Sequence, residues 1–182
     1  MRNSPGTDRI EKSLIKPLQK LDQYEILNGS CGCVFIMAGN SFRSDDGVGP
    51  YIAEKLSAAV SSMPTLHLIN AQTNPENYID EVADLAPKFV VFLDAAQFGG
   101  SPGEFIFIDD EASLPESSAS THTLPLNLIA ALIRAQCSCS VMYIGIQAGN
   151  LHLGEQLTRD VKRAADLLVH EISSRIERLR NA

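Results

Sequence analysis

Val34-Phe35-Ile36-Met37-Ala38-Gly39-Asn40-Ser41-Phe42-Arg43-Ser44-Asp45-Asp46-Gly47-Val48-Gly49-Pro50 stacks three elements in order. A short apolar strand comes first, a glycine-rich turn follows, and a helix starts near Val48. Val48, Tyr51, Ile52, Leu56 and Val60 then recur at helical spacing. Two adjacent carboxylates, Asp45 and Asp46, sit in the turn. A loop at the carboxyl end of a buried strand is where open α/β sheets place their chemistry. The glycines let the backbone turn tightly and are expected to leave room for a bulky substrate.

The alternation continues outward from this stretch. Leu66–Ile69 reads as a second strand. Pro75 opens a helix that presents Tyr78, Ile79, Val82 and Leu85 on one face. Phe89–Leu93 is apolar on successive residues and is expected to be buried on both faces. Pro102-Gly103 marks a turn before a short strand, Glu104–Ile108, which is expected at an edge. Leu124–Arg134 reads as a helix and Val141–Ile146 as a strand. The last helix covers about Thr158–Leu179, with Thr158 at its N-cap and Asp160 in its first turn. Alternating strands and helices predict a single three-layer α/β domain, with a mainly parallel sheet flanked by helices on both faces.

Residues 1–30 stand apart as a polar extension. Ile10, Leu14, Leu18 and Leu21 give it one helical pattern, so it either docks as a helix or stays mobile. Residues 31–182 form the domain proper. A length of 182 residues suits one domain with a real core, and 45% apolar with 20% charged residues is ordinary for a globular chain. A net charge of -7 argues against nucleic acid as a partner. No apolar run is long enough to span a bilayer and no secretory pattern opens the chain, so the expected location is cytoplasmic, away from membranes. Four cysteines form two Cys-x-Cys pairs, Cys31/Cys33 and Cys137/Cys139. Their spacing is shorter than that of common zinc sites, and small buried residues at strand starts are the favoured reading over a four-thiolate or redox site.

Parallel strands deliver their carboxyl ends to one edge. Asp46, after the first strand, and Asp94, ending Val90-Val91-Phe92-Leu93-Asp94, are therefore expected together. His122, in the polar segment Ser117–Thr123 before the helix at Leu124, is placed to join them. Two carboxylates and one imidazole suit nickel, zinc, iron or manganese and leave a coordination position open. Taken singly, each residue has a plainer role. Asp45 or Asp46 can be a helix cap, Asp94 a turn residue and His122 a solvated loop residue. Taken jointly, on the edge where ligands bind, they point to a site. His67 and His152 have no evident partner, and His170 lies on the last helix. The turn lacks the Gly-Lys-Ser/Thr of a P-loop and the third glycine of a dinucleotide fingerprint, and no Gly-x-Ser-x-Gly elbow occurs.

In order and spacing these motifs resemble the maturation endopeptidases of nickel–iron ([NiFe]) hydrogenases, most closely the hydrogenase 3 (formate hydrogenlyase) type. The likeness spans about residues 34–170. It is carried by Gly39-Asn40, Asp45-Asp46-Gly47, Gly49-Pro50, Ala53-Glu54-Lys55, Asn74-Pro75-Glu76-Asn77, Asp94-Ala95, Pro102-Gly103-Glu104, Thr121-His122-Thr123-Leu124-Pro125-Leu126-Asn127 and Ile144-Gly145-Ile146-Gln147. The resemblance implies an aspartic-type endopeptidase that removes the C-terminal peptide of a hydrogenase large-subunit precursor after nickel insertion. It implies no tightly bound cofactor of its own. Nickel would come with the substrate, and Asp46, Asp94 and His122 would be both the catalytic and the metal-recognising residues. By resemblance Asp45 is then a cap or a supporting group. A non-catalytic sensor of nickel loading and an unrelated metal-dependent hydrolase on a similar sheet are the alternatives. Two positions depart from the family pattern: Asn70-Ala71-Gln72-Thr73 lacks the glycines common after the second strand, and Ala148-Gly149 replaces a common proline.

Overall fold

The computed structural model describes residues 5–27, 31–109, 113 and 124–181. Its centre is a five-stranded sheet in the order β2-β1-β3-β5-β4. The strands are β1 (Cys33–Ala38), β2 (Leu66–Gln72), β3 (Phe89–Ala96), β4 (Phe105–Ile108) and β5 (Ser140–Gln147). β1 pairs in parallel with β2 and β3, and β3 with β5, while β4 runs antiparallel to β5 at the edge. The central strands β1 and β3 are buried along their whole length. That is why they read as continuous apolar runs rather than alternating ones.

Two apolar layers sandwich the sheet. On one face Phe35, Met37, Val91 and Leu93 meet α1 (Pro5–Gln23), α2 (Val48–Val60) and α5 (Arg159–Arg180). On the other, Val34, Ile36, Val90 and Phe92 meet α3 (Ile79–Leu85) and α4 (Leu126–Gln136). Helices on both faces and a mainly parallel sheet agree with the fold expected from the alternation. Among the described residues, no helix is long and apolar enough to cross a membrane.

Within the first thirty residues, α1 buries Ile10, Leu14, Leu18 and Leu21, the stripe seen in the sequence. It lies along β4, where the Ser13 Oγ accepts the Phe105 N–H at 3.0 Å. Pro75 opens a 3-10 turn, Pro75–Tyr78, and the α-helix proper starts only at Ile79. β2 runs three residues beyond Ile69, and its register skips at Met37/Ala38, so that Ala38 faces Gln72.

The four cysteines do not converge. Cys31 and Cys33 pack on the α2/α5 face, and Cys137 and Cys139 on the α3/α4 face. The sheet separates the pairs, and burial pushes the Cys33 thiol well up, toward the neutral form. Among the described residues no group of three His, Cys, Asp or Glu is placed to hold a metal ion.

Two glycines of the opening stretch serve the fold, not an open path for substrate. Gly39 has φ +136°, and a Cβ there would run into the Asp46 carbonyl. A Cβ on Gly49 would run into the Ala38 carbonyl, because α2 starts directly against the end of β1. Gly39→Ala combines backbone strain with backbone overlap and is expected to cost about 3 kcal/mol or more. Chemical denaturation measures this directly, and a loss below about 1 kcal/mol would show that the turn can relax.

Candidate active site

The chain leaves β1 for β2 on one side and reaches β3 on the other. Strand order therefore reverses between β1 and β3, and the carboxyl ends at such a reversal are where open α/β sheets bind ligands. Both acidic candidates lie there. Asp94 is in β3, one position beyond the Met37↔Leu93 pair, on a strand end adjacent to Ala38. Asp46 lies in the 3-10 turn Ser44–Gly47, which packs against β3. Asp46 is 0% and Asp94 2% exposed. Asp94 lies on the α3/α4 face, between Phe92 and Ala96, and its Oδ1 accepts the Ala95 N–H at 2.7 Å. α4 packs on that same face. His122, four residues before α4, lies outside the described residues.

The turn is held by its own main chain. Asp46 N–H donates to the Arg43 carbonyl and the Asp46 carbonyl accepts the Asn40 N–H, both at 3.1 Å. The Asn40 Oδ1 accepts the Phe42 N–H at 2.9 Å. Ser44 takes a left-handed backbone, φ +49°, which lets Asp45 and Asp46 diverge.

Asp45 has a different role from the one its position suggests. Its side chain caps neither the 3-10 turn nor α2. It is fully buried and reaches across to the segment between β5 and α5. The Oδ2 accepts Gly149 N–H and Asn150 N–H, each at 2.8 Å, and the Thr158 hydroxyl at 2.9 Å. The Oδ1 accepts the Thr158 N–H at 2.6 Å. Thr158 does precede α5, but its hydroxyl is spent on Asp45 and makes no cap bond.

Neighbouring bonds lace the same two segments. Arg43 donates from Nε and Nη2 to the Leu151 carbonyl, and Ser44 Oγ donates to the Gln156 carbonyl. Arg43 and Gly154 form a parallel β-bridge. The turn that carries Asp46 is thus fixed from both sides.

Two further residues support the Asp94 side, and only one belongs to a motif noted in the sequence. Gln147 is buried; its Oε1 accepts Phe98 N–H and Gly100 N–H, which fixes the segment leaving β3. Tyr143 is fully buried, and its hydroxyl donates to the Ala95 carbonyl at 3.4 Å. Burial pushes the Tyr143 phenol well up and the nearby Asp94 charge adds to it, so it stays neutral. An apolar strand pattern hides this tyrosine among core residues.

A cleft of about 640 Å³ opens beside the turn, between α2 and β2. Ser44 and Gly47 line it, but neither Asp46 nor Asp94 does. It adjoins the carboxylates without containing them.

Known proteins share the fold and much of the sequence. A family model described as HycI, hydrogenase maturation protease, matches residues 50–175, which include Asp94 and begin four residues after Asp46. The hydrogenase 3 maturation protease of Escherichia coli K12 is 30% identical over 139 residues, 76% of this chain and 87% of that protein. The crystal structure of a [NiFe] hydrogenase maturation protease HycI from Thermococcus kodakarensis KOD1 superposes with a TM-score of 0.73 at 35% identity, covering 81% of this chain and 94% of that one. The solution structure of the endopeptidase HycI from Escherichia coli gives 0.67 at 28% identity, over 79% and 90% of the two chains. Sequence and fold agree over most of both partners' lengths, and the chain belongs to the hydrogenase maturation protease family of peptidases.

Proposed function

We propose that this protein is an endopeptidase that removes the C-terminal peptide of a NiFe-hydrogenase large-subunit precursor once nickel has been inserted. Asp46 and Asp94, with His122, engage the nickel that the precursor carries. The observation that supports this reading is the placement of two buried carboxylates at the reversal of strand order, Asp94 near the end of β3 and Asp46 in the turn that follows β1 and packs against β3. Carboxylate oxygens and an imidazole nitrogen suit nickel, and a precursor without metal cannot complete the site.

The attacking group is water. Cys33 opens β1 while Asp46 follows its far end, and the strand between them spans about 17 Å. The Ser44 hydroxyl is spent on the Gln156 carbonyl at 2.9 Å. In this reading the peptidase is aspartic in the sense that carboxylates carry its site. Two routes activate the water. Either substrate nickel polarises the scissile carbonyl or lowers the pKa of bound water, or a site carboxylate takes the proton as general base.

Incubation with nickel-loaded and nickel-free precursor, followed by mass spectrometry, tests the proposal. Only the loaded form is expected to lose its C-terminal peptide. Equal cleavage of both forms would remove nickel from recognition, and binding without cleavage would leave a loading sensor.

A further inference from the structure

We propose that the cleft between α2 and the carboxyl half of β2 seats an extended segment of the substrate polypeptide and selects a cationic side chain on it through Glu54 and Glu155. This rests on the endopeptidase reading and adds to it a surface that chooses the substrate.

The cleft has the size of a ligand site, about 640 Å³. Leu68, Asn70 and Gln72 alternate along β2 and line one wall. Among the described residues, no strand pairs with the outer side of β2. A polypeptide lying there in extended form finds amide side chains at two-residue spacing, which matches its own repeat.

Charge narrows the occupant. Glu54 and Glu155 both line the cleft, and no Lys, Arg or His does. Both are exposed, and among the described residues neither forms an ion pair. Lys55, next to Glu54, turns instead to Asp166 and the Tyr51 ring. Two unpaired carboxylates facing one cleft favour a Lys or Arg on the partner and repel an acidic one.

Two residues of left-handed backbone lie along the cleft. Among the described residues four non-glycine residues have positive φ, and two of them, Ser44 and Gln72, both at φ +49°, line this cleft. Such conformations persist where surrounding structure over-determines them, and they cluster at functional sites. Gln72 occupies the register skip opposite Ala38, so the strain aims an amide at the cleft one strand away from β3 and Asp94. Ser44 borders Asp45 and Asp46, so the cleft runs on from the catalytic turn.

The test is a charge reversal. Steady-state processing of nickel-loaded precursor is compared for wild type, the Glu54→Lys/Glu155→Lys double variant and Glu11→Lys, an exposed change on α1. The double variant is expected to raise KM about tenfold, with the loss in KM rather than kcat, while Glu11→Lys matches wild type. Replacing the precursor's Lys and Arg residues near its cleavage site one at a time by Glu is expected to give one form that restores the double variant to within about threefold of wild type. An unchanged KM, or no precursor form that restores it, overturns the cleft assignment while leaving the endopeptidase reading intact. If wild type binds precursor without cutting it, the endopeptidase reading fails, and the binding constants decide the cleft. About tenfold weaker binding by the double variant upholds it, and equal binding or none at all overturns it.

Discussion

Asp46→Asn and Asp94→Asn are each expected to lower kcat/KM for precursor processing by about a thousandfold or more while the protein stays folded. The amide keeps the size and shape of the carboxylate but removes its charge and its ability to take a proton. If the carboxylate binds the substrate's nickel, the ligand is lost; if it is the general base, the base is lost. Either loss falls within the range of roughly 10²–10⁴ typical of such groups, or beyond it when both roles coincide. Both residues are buried at the reversal of strand order, where no solvent-exposed substitute can take their place. Single-turnover processing with circular dichroism as a fold control reads the effect. Retention of more than a tenth of wild-type activity in either variant would remove that aspartate from the site.

Asp45→Ala is expected to fail differently, by unfolding. Its carboxylate accepts four hydrogen bonds, three of them from main-chain N–H groups of Gly149, Asn150 and Thr158. Alanine takes the acceptor from these donors, which sit on half-buried and exposed residues, and each group left without a partner costs about 1–3 kcal/mol before water replaces part of the loss. Partial relaxation makes about 3–5 kcal/mol the expected total, a large share of the 5–15 kcal/mol that typically holds a domain together. Asp45→Asn is milder. Its oxygen can keep the Gly149, Asn150 and Thr158 hydroxyl bonds, but its NH₂ then meets the Thr158 N–H, one donor against another. Urea unfolding of wild type, Asp45→Ala, Asp45→Asn and Asp46→Asn separates the two neighbours: Asp45 variants lose stability, and Asp46→Asn loses activity. An Asp45→Ala protein within about 0.5 kcal/mol of wild type would show that the tether contributes nothing.

This contrast explains what could be read from the chain itself. β1 and β3 were legible because both faces are apolar, and α5 because Val161, Ala165, Leu168, Ile172 and Ile176 keep helical spacing through most of its length. The edge that gathers Asp46 and Asp94 followed from parallel direction alone. β2 was read short because its last residues alternate with exposed Asn70 and Gln72, which resemble a loop. Asp45 stayed open between a cap and a supporting group because helix starts favour aspartate locally, whereas its partners are main-chain groups of a segment more than a hundred residues away. Main-chain donors have no side-chain signature in a sequence. Tyr143 and Gln147 were obscure for a related reason, since their roles depend on register across β3 and β5.

The Asp45 tether also sets an order in time. Thr158 follows Asp45 by 113 residues, so a ribosome adding 5–20 residues per second reaches it roughly 6–23 s after Asp45 is made. During that interval Asp46 and its turn exist without the segment that fixes them. β3 and Asp94 emerge in the middle of it. The proposed peptidase centre is therefore among the last parts of the molecule to be finished, and a chain that stalls before residue 158 carries both acidic residues yet lacks the bonds that hold the turn of Asp46 in place. An emerging copy stays inert until its C-terminal third has folded back onto the beginning of the domain.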